Sequence, residues 1–231
     1  MRRFWRDAAV APVPDGWSVA LDGKPVHTPG RALLTLPGER LAEAVAAEWR
    51  GVGDVLDPRA MPLTGLANAA IDRIAPAPEA FARQLAAYGE SDLLCYRADD
   101  PPGLVAQQHA LWDPPLDWAR SRYDVAFALT AGVMHVDQPM ATTDRLRAAV
   151  LAFDAFGLAG LSPIVTTTGS LVLALWLTEG AADPDTVWTA ACCDEDWQAD
   201  QWGREPLAEQ ARAARHAEFQ AGTTFLALLG D

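Results

Sequence analysis

The chain reads WSVALDGKPVHT at residues 17–28, which is its clearest β-hairpin signal. From Trp17 to Leu21 apolar and polar positions alternate, as they do in a half-buried strand. Asp22-Gly23 follows, and this dipeptide favours a tight hairpin turn because both turn positions require a positive φ. We therefore predict two antiparallel strands here and a β-rich beginning of the chain.

Downstream of these strands the periodicity becomes helical. Leu41, Val45 and Trp49 recur at intervals of four residues, as on the apolar face of a helix. Helical patterns continue beyond a link that is rich in helix-breaking residues. The predicted fold class is α+β, with a β-rich domain at residues 1–58 and a larger, mainly helical domain at residues 59–231.

Three local patterns in the helical part give more detailed predictions. The proline pair at 114–115 should interrupt a helix, because proline lacks the N–H that the helical ladder needs. The alternating run at 125–129 is compatible with a strand. A helix should start at Asp183, an N-cap acceptor followed by proline, and continue to about Trp202.

Composition excludes several classes of protein. The 231 residues carry a formal net charge of −13, which opposes binding to nucleic-acid phosphates and to anionic membranes. Half of the residues are hydrophobic, so a core can form without a metal or a disulfide. The cysteines, Cys95, Cys192 and Cys193, do not indicate a disulfide framework. No apolar stretch is long enough to span a bilayer.

Catalytic and cofactor motifs are missing from the sequence. We find no GxSxG, GxxxxGK[ST], HExxH or GxGxxG pattern, and the four histidines lack metal-ligand spacing. Residues 166–170 (TTTGS) lack the lysine of a phosphate-binding loop and favour a tight helix junction. Cys95 has apolar neighbours, which predicts a buried and inert thiol. We therefore expect no enzymatic activity and no cofactor.

The most unusual segment is acidic. Nine acidic residues lie between positions 179 and 209, opposed only by Arg204. Such a run is often a solvated helix face. On one continuous helix, however, Glu195 would share a stripe with Trp188 and Trp202. A carboxylate there needs a partner, and Arg204 lies off that face, so we expect the partner to come from another protein.

Short motifs follow one another in a fixed order along residues 3–203, and their order is more specific than any one of them. They are Arg3-Phe4-Trp5-Arg6-Asp7, Leu21-Asp22-Gly23-Lys24-Pro25, Thr28-Pro29, Glu48-Trp49, Met61-Pro62-Leu63-Thr64, Leu66-Ala67-Asn68, Ala70-Ile71-Asp72-Arg73, Ser91-Asp92-Leu93-Leu94-Cys95-Tyr96-Arg97, Trp112-Asp113-Pro114, Thr168-Gly169-Ser170-Leu171, Asp194-Glu195-Asp196-Trp197-Gln198 and Gln201-Trp202-Gly203. The series resembles the family of assembly chaperones that bind the α subunit of the F-type ATP synthase.

This resemblance implies a chaperone that binds the free α subunit and shields the surface that later meets the β subunit, without nucleotide. It implies a small β-rich domain followed by a larger helical domain. It also implies a partner-binding segment, of which the members are Glu195, Asp194, Asp196, Trp197, Gln198 and Trp202. The family's important acidic position corresponds to Glu195. Because the first motif begins at residue 3, we expect a bacterial, cytoplasmic protein, and we expect a monomer.

Two other hypotheses remain open at this point. A hydrolase could use two carboxylates among Asp194, Glu195, Asp196 and Asp200, provided that their environments differ. A deep pocket that holds a metal or two close carboxylates would support it. A scaffold for another protein would use the same interface and differ only in its partner, so a pull-down from cells would distinguish it from the chaperone.

Overall fold

The predicted hairpin is present in the computed structural model, which describes residues 2–132 and 134–230. Strand β2 is central: it pairs antiparallel with β1 along its whole length and with β3 and β4 at its two ends. The four strands are β1 (Ala8–Val13), β2 (Gly16–Leu21), β3 (Lys24–Pro25) and β4 (Thr35–Leu36). Asp22 and Gly23 form the turn with φ of 47° and 80°, as predicted from the dipeptide.

Helices dominate the remainder of the chain. They are α1 (Glu39–Gly51), α2 (Pro62–Ala69), α3 (Pro78–Ala86), α4 (Pro102–Tyr123), α5 (Met140–Leu151), α6 (Ala155–Thr168), α7 (Leu171–Thr178), α8 (Pro184–Ala191), α9 (Cys193–Trp202) and α10 (Pro206–Leu229). A π-helix at Ala70–Ile74 extends α2, and β5 (Tyr96–Arg97) pairs in parallel with β6 (Thr130–Ala131). The predicted α+β class is confirmed. Within the described residues, no helix has both the length and the apolarity needed to cross a bilayer.

The chain divides into two compact units. The first unit comprises residues 1–78, 154–160 and 221–231, and the second comprises residues 79–153 and 161–220. The predicted division into domains at 1–58 and 59–231 stays a prediction.

The Arg-Phe-Trp motif near the start of the chain closes the C-terminal end of α1. Arg3 Nη1 donates hydrogen bonds to the carbonyls of Arg50, at 3.3 Å, and Val52, at 2.5 Å. Trp5 Nε1 donates to the carbonyl of Trp49 at 3.2 Å. The last carbonyls of a helix lack hydrogen-bond donors within the helix. The side chains of Arg3 and Trp5 are the donors here.

Two carboxylates of the first unit are bound by backbone groups and hydroxyls. Glu48 accepts from the N–H groups of Leu63 and Thr64, both at 2.8 Å, and from the Thr64 hydroxyl at 2.6 Å. It thereby caps the N-terminus of α2, where free N–H groups favour an anion. Asp72 accepts from the Thr28 hydroxyl at 2.6 Å, which joins the π-helix to the loop after β3. We call Glu48 and Asp72 the clamp carboxylates.

In the second unit, α4 is continuous through its two prolines, so the predicted interruption is wrong. Trp112 and Leu116 are fully buried on either side of them. The burial of two large apolar side chains is worth several kcal/mol, roughly the cost of proline in a helix. Trp112 Nε1 also donates to the Ala190 carbonyl at 2.8 Å, which fixes α8 on α4.

The run at 125–129 is not a strand, and this prediction is also wrong. Side chains form the hydrogen bonds of its backbone. The N–H and carbonyl of Ala126 bond the Thr142 hydroxyl, and those of Ala128 bond the Gln138 amide. Pairing with a strand begins only at Thr130. The residues alternate as in a strand, but side chains, and not a neighbouring strand, satisfy the backbone hydrogen bonds of Ala126 and Ala128.

The segment at 166–170 is the tight junction that the sequence predicts. Helix α6 ends at Thr168, Gly169 adopts a φ of +66°, and the Ser170 hydroxyl accepts from the N–H of Leu173 as the cap of α7. Asp92 adds a second anchor, because its fully buried carboxylate accepts from the N–H of Val172 at 3.0 Å. Burial raises the pKa of Asp92 to about 6.

Candidate interaction surface

The acidic segment folds as two helices, so the predicted single helix from Asp183 to Trp202 is wrong. Asp183 caps α8 as expected, accepting from the N–H of Thr186 at 2.8 Å. The helix ends at Ala191, and α9 starts after Cys192, which has φ −97° and ψ 7°. The neighbouring thiols of Cys192 and Cys193 are both buried, and the turn between the helices accommodates them.

This break removes Trp188 from the stripe of Glu195, whereas Trp202 stays on it, seven residues further along α9. Trp188 is buried and packs on His216 and Phe219 of α10, with ring centroids 4.7 and 5.2 Å away. Trp202 is 79% exposed at the end of α9. One tryptophan therefore belongs to the core and the other to the surface.

Glu195 has a cationic partner within the chain, contrary to the expectation from sequence. Its two carboxylate oxygens accept from Nη1 and Nη2 of Arg215 at 2.8 and 2.6 Å. This bidentate pair is the strong form of an ion pair, and it raises the pKa of Arg215. Both side chains are nearly half exposed, at 46% for Glu195 and 40% for Arg215, so solvent and other molecules can reach the pair.

Asp196 forms a second ion pair between the same helices. Its carboxylate accepts from both terminal nitrogens of Arg212, one turn before Arg215 on α10. The hydrogen bond that Arg212 donates to Asp196 raises the pKa of Arg212. This pair is more buried than the first, at 27% and 22% exposure, and it also links α10 to α9.

Asp194 faces a different helix. It accepts from Nε2 of Gln108 at 2.7 Å, while Oε1 of Gln108 accepts from the Ala98 N–H at 2.8 Å. Gln108 is only 2% exposed, so its amide depends on these partners. Trp197 also packs on α4, where a Cβ at Gly103 would overlap its ring. Asp194 and Trp197 thus attach the first turns of α9 to α4.

The three thiols are unreactive in their surroundings. Cys95, Cys192 and Cys193 are all buried and free. Burial raises the pKa of Cys95 to about 12 and that of Cys192 and Cys193 to about 11. The predicted burial of Cys95 is confirmed, and its raised pKa disfavours the ionised form that a nucleophile or a metal ligand needs.

A groove of about 440 Å³ lies between α9 and the first turns of α10. Its lining residues are Glu195, Gln198, Ala199, Trp202, Gly203, Arg204, Glu205, Ala208, Glu209, Ala211, Arg212 and Arg215. We call it the α9–α10 groove. Arg204 and Glu209 form a further ion pair across its outer end, at 3.3 Å. The exposed indole of Trp202 stands at its edge.

The geometry gives little support to the hydrolase. Asp194, Glu195 and Asp196 accept from Gln108, Arg215 and Arg212 respectively, so each carboxylate has its own partner. In the part of the chain that the structure describes, no three His, Cys, Asp or Glu side chains are placed to hold a metal ion.

Known proteins resemble this chain over its whole length. A family model described as ATP12 chaperone protein matches residues 2–120. The crystal structure of Atp12 from Paracoccus denitrificans has a TM-score of 0.94 and 43% identity, covering 99% of this chain and 98% of that chain. The Atu1473 protein of Agrobacterium tumefaciens has the same TM-score and 39% identity, covering 99% and 86%. The mitochondrial protein atp12 of Schizosaccharomyces pombe is 22% identical over 214 residues, 87% of this chain and 74% of that protein.

Proposed function

This chain belongs to the ATP12 chaperone family, and we propose that it binds the free α subunit of the F-type ATP synthase and shields the subunit's interface until the catalytic sector is assembled. The observation that carries the proposal is the 43% identity to Atp12 of Paracoccus denitrificans over 99% of the chain. The proposed action is binding alone, without catalysis, nucleotide or cofactor. The proposed compartment is the bacterial cytoplasm, and the proposed state of the free chaperone is a monomer.

The physical need for such a protein comes from the client. An oligomer subunit that is not yet assembled exposes a large apolar interface, and such surfaces aggregate. A chaperone for it must offer large apolar anchors together with complementary charge. The α9–α10 groove offers both, since Trp202 is exposed at its edge and carboxylates line it.

We propose that three of the six residues expected in the binding segment contact the client. Glu195, Gln198 and Trp202 line the α9–α10 groove. The Glu195–Arg215 pair is half exposed, and an exposed pair contributes little net stability. A cation on the client can therefore compete with Arg215 for Glu195 without unfolding the chaperone.

The other three residues support the surface from behind. Asp194 and Trp197 attach α9 to α4, and Asp196 attaches α9 to Arg212 of α10. Their side chains are engaged within the chain. We propose that they act as positioning residues, which hold Glu195 and Trp202 in place.

The test is co-expression of this chain with its source's α subunit, followed by pull-down and size-exclusion chromatography without added nucleotide. We expect a complex with free α, a larger soluble fraction of α, and no binding to the assembled catalytic sector, in which the target surface is covered. If α stays equally insoluble with and without this chain, the proposed function is wrong. Recovery of a different protein and no α would instead identify a scaffold.

A further inference from the structure

The charged side chains of the α9–α10 groove are almost all paired with one another. Glu195 pairs with Arg215, Arg212 with Asp196, and Arg204 with Glu209. Among the residues that the structure describes, no cation or hydrogen-bond donor contacts the carboxylate of Glu205, which lines the same groove. The three guanidinium groups of the groove are thus occupied, and one carboxylate is left over.

Among the residues that the structure describes, the indole of Trp202 also lacks a ring or cation partner. Trp202 is 79% exposed. Tryptophan is enriched at protein interfaces, because its ring combines a large apolar surface with one polar N–H. Tryptophan is also the aromatic residue that attracts a cation most strongly.

Gln198 and two alanines complete the local chemistry. The exposed amide of Gln198 lines the groove and has no side-chain hydrogen bond within the described chain. Ala199 and Ala208 add two small side chains to the lining of the groove. The groups available to a ligand are therefore a carboxylate, an amide oxygen and a π face, and all three favour a cation with an alkyl stem.

We infer that the α9–α10 groove binds an arginine side chain of the client, stacked on Trp202 and paired with Glu205. Arginine fits better than lysine, because its planar guanidinium stacks on an indole and donates two parallel hydrogen bonds to a carboxylate. The second unit carries eleven of the thirteen net negative charges, so its field also favours a basic ligand. The inference rests on the proposed function, since the arginine belongs to the α subunit.

The first test measures the affinity of purified α subunit for variants by biolayer interferometry. Trp202→Leu keeps an apolar side chain and removes the π face, and we expect binding about tenfold weaker. Glu205→Gln keeps the shape and removes the charge, and we expect binding about fivefold weaker. The matched controls are Leu207→Ala, which removes an apolar side chain that is 72% exposed outside the groove, and Glu218→Gln. Both should bind like wild type.

The second test does not need the client. The shift of the Trp202 indole N–H signal in NMR is followed while N-acetyl-argininamide is added, with the lysine and citrulline derivatives as comparisons. We expect saturation with arginine, weaker saturation with lysine, none with citrulline, and loss of the arginine effect in Glu205→Gln. Equal responses to arginine and citrulline would overturn the inference.

The two tests separate the inference from the function on which it rests. If wild type binds α, and Trp202→Leu and Glu205→Gln bind it equally well, the arginine inference is wrong and the chaperone function stands. If wild type does not bind α, the proposed function fails. Saturation by N-acetyl-argininamide would then still support an arginine site, and its absence would remove the site as well.

Discussion

The clamp carboxylates of the first unit and the carboxylates of α9 have different kinds of partner. Glu48 and Asp72 accept hydrogen bonds from backbone N–H groups and two threonine hydroxyls of the same unit. Glu195 and Asp196 pair with side chains of α10 beside an open groove. A backbone donor in a helix N-terminus has no substitute, whereas a guanidinium can be replaced by a similar group from another protein.

This difference separates motifs that build the fold from motifs that are available for binding. The series of family-like motifs includes both kinds, and a sequence match treats them alike. The charges follow the same division, since residues 1–78 contain nine acidic and nine basic residues while the second unit has a net charge of −11. A change in a clamp should therefore affect stability, and a change in the groove should affect binding.

The largest effect on binding is expected for Glu195→Lys. The new ammonium would lie beside Arg215 and would repel a cationic client, and like-charge contacts at an interface cost several kcal/mol. We expect affinity for free α to fall by roughly a hundredfold, with a melting temperature close to that of wild type because the site is half exposed. Glu195→Gln should weaken binding by about fivefold.

The control for this variant is Glu218→Lys, which makes the same charge change on α10 outside the groove. It should bind α nearly as wild type does. A large loss of melting temperature in Glu195→Gln would show that Glu195 is a clamp and would break the comparison between the two regions.

The largest effect on stability is expected for Glu48→Ala. Removal of the carboxylate leaves two N–H groups at the start of α2 and the Thr64 hydroxyl without their acceptor. We expect a loss of about 2 kcal/mol in the free energy of unfolding, measured in urea. Glu43→Ala is the matched control, because Glu43 is exposed and its carboxylate forms an ion pair with the exposed Arg50.

Binding of α by the folded Glu48→Ala protein should be unchanged, measured at a temperature where both proteins are native. If Glu48→Ala folded normally but bound α weakly, the clamps could no longer be regarded as structural.

An intermediate effect is expected for Asp194, which lies in the binding segment but acts as an anchor. Asp194→Ala leaves the buried amide of Gln108 without its acceptor, which should cost about 1–2 kcal/mol of stability and weaken binding of α by a few fold. Asp194→Asn still offers an amide oxygen to Nε2 of Gln108. Both properties should therefore recover in Asp194→Asn, whereas recovery of stability alone would show that Asp194 touches the client directly.

Only part of the fold and of the groove could be predicted from the sequence. Signals within a few residues were sufficient for the Asp22-Gly23 hairpin and for the Asp183 cap of α8. The partner of Glu195 could not be found in this way, since Arg215 lies 20 residues further along and beyond the segment 179–209 that stood out as acidic. Only the antiparallel packing of α10 on α9 brings the pair together.

Two other errors have the same origin. The prolines of α4 indicate a break, but the buried Trp112 and Leu116 determine the outcome through tertiary packing. The helical stripe from Trp188 to Glu195 assumed one continuous helix, but the chain turns at Cys192, whose thiol is buried among other elements of the fold. Local periodicity contains no information about such contacts.

A smaller effect, on pH dependence, is expected from Asp92. Its pKa is raised from 3.8 to about 6 by burial, so the folded protein binds a proton between these values that the unfolded protein does not. The stability that this proton provides is fully present below pH 3.8 and is lost as pH rises through 6. Asp92 should therefore add about 1 kcal/mol to the free energy of unfolding between pH 7 and pH 5.

Asp92→Asn removes the titrating group and keeps an acceptor oxygen for the N–H of Val172. The difference between wild-type and Asp92→Asn unfolding free energies, measured at pH 7 and pH 5, isolates the contribution of this residue. A difference that does not change with pH would show that Asp92 stays ionised in the fold.

The smallest effect is expected from added salt, which screens all the charges of the second unit together. Charges around an interface speed association, and salt screens them over about 10 Å at ~0.1 M. Raising NaCl from about 0.05 to 0.5 M should slow association with α severalfold and change dissociation by less than about twofold, in surface plasmon resonance. Glu205→Gln should reduce the salt dependence, because it removes one carboxylate of the groove, whereas Glu43→Gln in the nearly neutral first unit should not. If the association rate were independent of salt, the charge of the second unit would serve solubility alone, and binding would depend on the close contacts of Glu195 and Trp202.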